Sequence, residues 1–137
     1  MTTTIDIEPL SDALGVAVRG IDLRQEVDER TQGELQNLFA RHCVLCFPDQ
    51  KISAEDQRRF AAMFGRVDGG YRSKSSGDLK ESATRGVMLV SNIRKDGKPI
   101  GSLPDGEMMF HSDGAHREFP YRATTLFGIR IPSTGGN

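Results

Sequence analysis

Met108-Met109-Phe110-His111-Ser112-Asp113-Gly114 is the stretch on which the reading of this chain turns. Three apolar residues lead in and a glycine closes it, so it reads as a short extended segment running into a turn. On extended backbone, residues i and i+2 project to one face. His111 and Asp113 therefore present an imidazole and a carboxylate to a common point, while Ser112 points away. Completed by one further imidazole, such a pair makes the facial triad that holds Fe(II) with positions left open for a 2-oxo acid and for O2. Taken alone, His-x-Asp also describes an ordinary surface pair or turn. His116, beyond Gly114, reads either as a loop histidine near the pair or as a local third ligand. The latter would suit a metal-bound water and hydrolysis instead.

Toward the N-terminus, Leu103-Pro104-Asp105-Gly106 reads as a loop and Lys95-Asp96-Gly97-Lys98-Pro99 as a turn. Val87-Met88-Leu89-Val90 reads as a buried strand. Residues 66–86 are polar and rich in Gly and Ser, which predicts a loop within one domain. Before it, Ser53-Ala54-Glu55-Asp56 resembles a capping box with the shorter acid, opening a helix that carries Phe60, Met63 and Phe64 on one stripe and stops at Gly65. A first helix is capped by Asp28 or Thr31, buries Leu35, Leu38 and Phe39, and closes at His42, read as a helix-end residue. Ile5-Asp6-Ile7-Glu8 and Gly15-Val16-Ala17-Val18-Arg19-Gly20 alternate as short strands. Residues 123–131 alternate weakly after the central stretch. The pattern is α+β, without an internal repeat.

Cys43-Val44-Leu45-Cys46 invites a redox or zinc reading. Val44 to Phe47, however, reads as a buried strand, on which residues three apart face opposite ways. Zinc would need a second ligand pair, and the chain has only these 2 cysteines. Both are expected to be small buried apolar residues.

The 137 residues are 36% hydrophobic and 27% charged, which suits one globular domain. A net charge of -1 leaves no basic excess to neutralise a phosphate backbone, so nucleic acid is not the expected partner. No apolar run approaches the roughly 20 residues of a membrane span, and the opening residues lack a secretory pattern. The expected location is cytoplasmic.

The surroundings of His111 add a resemblance. Phe110-His111-Ser112-Asp113-Gly114, then Phe119-Pro120, then Ile131-Pro132-Ser133-Thr134-Gly135-Gly136-Asn137, closely resemble the taurine dioxygenase/2,4-D dioxygenase (TauD/TfdA) family. There an aromatic-His-x-Asp-Gly segment precedes a strand ending in Pro-x-x-Gly-Gly-Asp/Asn. Ile7-Glu8-Pro9-Leu10, Gly20-Ile21-Asp22-Leu23, Phe47-Pro48-Asp49-Gln50 and Phe60-Ala61-Ala62-Met63-Phe64-Gly65 look like that family's opening, in order.

The resemblance implies an incomplete double-stranded β-helix (jelly roll) with N-terminal strands and two buttressing helices. It implies Fe(II) held by His111 and Asp113, with 2-oxoglutarate and O2 as co-substrates, and hydroxylation of a small organic, anionic substrate with release of succinate and CO2. Tyr71, Asn92 and Glu107 are the candidate substrate-binding residues. The family's second metal-binding histidine, its 2-oxoglutarate-binding arginine and the threonine after Gly-Gly-Asp/Asn would all lie beyond Asn137. Residues 1–137 are therefore expected to be the N-terminal part of one such domain, with its C-terminal half absent, poor solubility and weak metal affinity. Phe110 stands where the family often has Trp, and the loop at Tyr71 lacks the histidine of taurine-specific members. The alternative is an inactive remnant that serves as a binding module, pairing its strand edges with another copy.

Overall fold

The computed structural model describes residues 4–67, 86–101 and 109–134. Strand β1 (Asp6–Pro9) pairs antiparallel with β2 (Val16–Arg19), Asp6 opposite Arg19 and Pro9 opposite Val16. Pro9 has no N–H to donate, and β1 is an edge strand, where that loss costs least. Ser11 closes the connecting turn: its hydroxyl donates to the Leu14 carbonyl at 2.7 Å and accepts from the Leu14 N–H at 3.1 Å.

Helix α1 (Glu29–His42) starts at Asp28, whose carboxylate accepts from the Thr31 N–H at 3.0 Å and the Thr31 hydroxyl at 2.8 Å. The second bond explains why Thr31 tolerates full burial. Arg41 and His42 sit in the last turn, where positive charge suits the helix dipole. Cys43 then reverses the chain at φ 64°, its N–H donating to the Phe39 carbonyl at 2.9 Å. That reversal feeds β3 (Leu45–Cys46), which lies parallel to β2 with Val16 opposite Leu45. The His42 carbonyl accepts from the Gly15 N–H at 2.9 Å, which locks the helix end to the start of β2.

Helix α2 (Ala54–Ala62) carries the expected capping box. The Ser53 hydroxyl accepts from the Asp56 N–H at 3.2 Å, and Asp56 accepts from the Ser53 N–H at 2.9 Å. Its stripe packs on the sheet: Val16, Val18, Ile21, Leu23, Leu35, Phe60 and Phe64 form the buried core. Phe60 lies edge-to-face against both Phe47 and Phe64, with centroids 5.0 and 5.4 Å away. Truncating a fully buried residue such as Leu35 to Ala should cost about 2–5 kcal/mol.

A second sheet is the hairpin β4 (Arg94–Lys95) with β5 (Lys98–Pro99). Asp96 and Gly97 both have positive φ, 52° and 76°, as a two-residue hairpin turn of matching twist requires.

Three expectations are corrected. The strand expected from Val44 to Phe47 is only Leu45–Cys46, at the sheet edge, with Val44 43% exposed. Cys43 and Cys46 are free and exposed, not buried, because one terminates a helix and the other sits on the outer strand. Residues 87–90 form no strand: Val90 alone makes an isolated bridge, and both Met88 and Val90 are exposed. Residues 123–128 do alternate between half-buried and exposed, but they pair with no described strand. Of the loop expected at 66–86, residues 68–85 lie outside the described ones.

Candidate functional site

His111 and Asp113 meet as their spacing predicts. Nε2 of His111 stands 3.2 Å from Oδ1 of Asp113, with both side chains about half exposed, at 50% and 48%. Nδ1 of His111 lies 2.9 Å from the Met109 carbonyl oxygen. A carbonyl only accepts, so Nδ1 donates to it and Nε2 is the ring nitrogen turned toward the carboxylate. Metal-ligating imidazoles are oriented this way, with the far N–H donated to a carbonyl or carboxylate. Two donors at right angles, each about 2.1 Å from one metal, stand about 3 Å apart. The observed separation fits that requirement.

The turn after the pair holds it in place. Gly114 has φ 69°, a conformation that strains residues with a Cβ. The Ala115 N–H donates to the Ser112 carbonyl at 3.2 Å and the Arg117 N–H to the Gly114 carbonyl at 3.0 Å. Tyr121 comes back against Gly114, and the Arg117 guanidinium sits 4.8 Å from the centre of the Tyr121 ring.

Other candidates fall elsewhere. Among the described residues, no three His, Cys, Asp or Glu side chains gather to hold a metal, so His116 does not complete a local triad with His111 and Asp113. His42 is half-buried at the end of α1, in the helix-end role its position suggested. Asn92 is exposed just before β4. Tyr71 and Glu107 lie outside the described residues. Phe110 is fully exposed beside the pair.

A separate groove of about 490 Å³ runs between α2, β3 and residues 123–128, lined by Phe47, Phe60, Phe64, Leu126 and Phe127. His111 and Asp113 do not line it. Gln57 spans it, its amide donating to the Thr125 carbonyl at 3.2 Å. Sequence reasoning missed the Tyr121–Gly114 contact. The glycine after His-x-Asp marked the turn, but nothing local named its partner.

The family model for the taurine catabolism dioxygenase TauD, TfdA family matches residues 6–137. The chain belongs to the TauD/TfdA family. It is 27% identical over 137 residues to the alpha-ketoglutarate-dependent 2,4-dichlorophenoxyacetate dioxygenase of Cupriavidus pinatubonensis, covering 94% of this chain and 47% of that one. It is 26% identical over 144 residues to the (S)-phenoxypropionate/alpha-ketoglutarate-dioxygenase of Sphingobium herbicidovorans, covering 99% and 44%. The chain thus spans a little under half the length of these relatives. Among solved structures, a putative alpha-ketoglutarate-dependent taurine dioxygenase from Burkholderia xenovorans superposes with a TM-score of 0.51 at 26% identity, over 57% of this chain and 28% of that one. The TauD/TfdA family uses Fe(II), 2-oxoglutarate and O2.

Proposed function

We propose that residues 1–137 are the N-terminal part of a single Fe(II)- and 2-oxoglutarate-dependent dioxygenase domain of double-stranded β-helix form, in which His111 and Asp113 are two of the iron ligands. The observation that carries this reading is the pair itself: two donor atoms 3.2 Å apart, inside a segment matched to the family. The substrate is a small organic anion, hydroxylated as 2-oxoglutarate goes to succinate and CO2.

In this reading His111 supplies a neutral nitrogen ligand, its tautomer set by the Met109 carbonyl, and Asp113 supplies one anionic oxygen. The single carboxylate offsets part of the metal's charge and leaves the remainder to bind an anionic co-substrate. Bound there, Fe(II) supplies open positions for the 2-oxo acid and O2 and the redox chemistry that links decarboxylation to substrate oxidation. Phe110 gives an apolar wall beside the pair, which excludes water from the reacting groups once covered. Asn92, Tyr71 and Glu107 are the proposed substrate contacts, with Asn92 exposed and available for a hydrogen bond.

Two further points complete the reading. Among the described residues no helix is long and apolar enough to cross a membrane. Free, exposed Cys43 and Cys46 persist best in a reducing compartment, which favours the cytoplasm as the setting.

The test is an anaerobic Fe(II) titration with and without 2-oxoglutarate. A weak visible band that needs both, and that His111→Ala and Asp113→Ala each abolish, is expected, since the residues that complete the site lie beyond Asn137. A band indifferent to both substitutions, or a zinc-dependent hydrolysis that needs no oxygen, overturns the reading.

A further inference from the structure

His111 is fixed through its own ring by the Met109 carbonyl. Asp113 is placed differently, inside the turn that the Ala115 N–H closes on the Ser112 carbonyl at 3.2 Å. Gly114 holds φ 69°, and a side chain there would meet Tyr121: an ideal Cβ would sit 2.8 Å from Cδ2 and 3.0 Å from Cε2 of the ring. The ring therefore occupies the space a residue-114 side chain would fill. The ring is itself braced by Arg117, whose guanidinium lies 4.8 Å from its centre. Arg117 in turn is tied to the turn, since its N–H donates to the Gly114 carbonyl at 3.0 Å. Pro120 stiffens the backbone immediately before Tyr121.

We infer that Tyr121 is a positioning residue for the metal-ligand turn: its ring, braced by Arg117, clamps Gly114 and so keeps the Asp113 carboxylate beside His111. The inference rests on the reading of His111 and Asp113 as ligands. The ring's faces, which meet Gly114 and Arg117, carry the role. Metal affinity responds to such outer supports by about 10- to 100-fold when they are removed.

The experiment measures Mn(II) binding by the whole 137-residue chain, from the electron paramagnetic resonance signal of unbound Mn(II), with far-UV circular dichroism as a folding control. Tyr121→Ala should weaken the dissociation constant about 10- to 100-fold, while Tyr121→Phe stays close to the parent. Gly114→Ala, which pushes the ring away without removing it, should weaken binding at least tenfold. Helices α1 and α2 and the core they share lie on other residues, so the dichroism should hold. If Tyr121→Ala nevertheless loses structure, Gly114→Ala and Tyr121→Phe decide. Parent-like affinity in Gly114→Ala, or in a folded Tyr121→Ala, overturns the clamp while loss in His111→Ala leaves the ligand reading standing. Equal loss in Tyr121→Phe also overturns it, by assigning the role to the hydroxyl. Parent-like affinity in His111→Ala, or no Mn(II) binding by the parent, removes the ligand reading and the clamp with it.

Discussion

Gln50 grips Leu23 across the sheet's open end: its side-chain oxygen accepts the Leu23 N–H at 3.0 Å. The same amide donates to the Ile21 carbonyl at 3.0 Å and the Pro48 carbonyl at 3.2 Å. One side chain thus stands in for a strand, satisfying backbone groups on either side of Asp22 that β1 and β3 do not reach. Gln50→Ala should lower stability by about 1–3 kcal/mol, seen as a lower urea midpoint at unchanged slope. Gln50→Glu should not rescue it, because a carboxylate cannot donate to the Ile21 carbonyl. A Gln50→Ala midpoint equal to the parent's would show the clamp to be dispensable.

Acid should destabilise the fold through its short-range ion pairs. The Asp22 carboxyl is held down to about 2, first by the Arg24 side chain, whose Nε and Nη2 donate at 2.9 and 2.8 Å, and then by the Arg24 N–H. Asp56 is lowered by the Ser53 N–H and hydroxyl, and Glu55 by Arg58. In each case the folded value lies below the unfolded one, so the unfolded chain binds more protons in acid. The stabilisation is complete above the ordinary carboxylate range and disappears as pH falls from about 4.5 toward 2. Urea midpoints measured across that window should fall modestly for the parent, as expected of exposed and screened pairs, and less for Asp22→Asn. An unchanged acid limb in Asp22→Asn would remove Asp22 from the account.

His116 should be irrelevant to metal binding. It sits beyond the Gly114 reversal, and it does not gather with His111 and Asp113 into a three-ligand group. His116→Ala should leave the Mn(II) dissociation constant within about twofold of the parent, against a loss of tenfold or more for His111→Ala. A large loss in His116→Ala would revive the local triad and, with it, hydrolytic chemistry.

The parts of the fold legible in the sequence are those whose causes are local. Asp28 with Thr31, and Ser53 with Asp56, announce their helices because each cap bonds within three residues. Asp96-Gly97 marks its hairpin by the positive φ it permits. His111 and Asp113 face each other as two residues so spaced can, although the turn that holds them there depends on more than their spacing. Strands need neighbours, which composition does not supply: the apolar run at 87–90 reads as a buried strand, yet it makes only an isolated bridge at Val90, and Met88 and Val90 are exposed. Tyr121 was invisible as a partner of Gly114 for the same reason, since a contact across a loop leaves no periodic trace.

Cys43 is exposed where its apolar neighbours suggest burial, and its backbone is strained. It ends α1 at φ 64°, where a Cβ costs about 1–2 kcal/mol. Glycine removes that strain but makes the unfolded chain more flexible, at a cost of about 0.4–1 kcal/mol. The exposed Cys43 side chain gives up little packing when deleted, so Cys43→Gly should stabilise by about 0.5–1 kcal/mol. Cys43→Ala keeps the Cβ and should give no gain, which separates backbone strain from loss of the thiol. A thiol reagent added without denaturant should react with both Cys43 and Cys46 in the parent and only with Cys46 in either variant. Equal stability of the Gly and Ala variants would show that the reversal at residue 43 is not what limits the helix end.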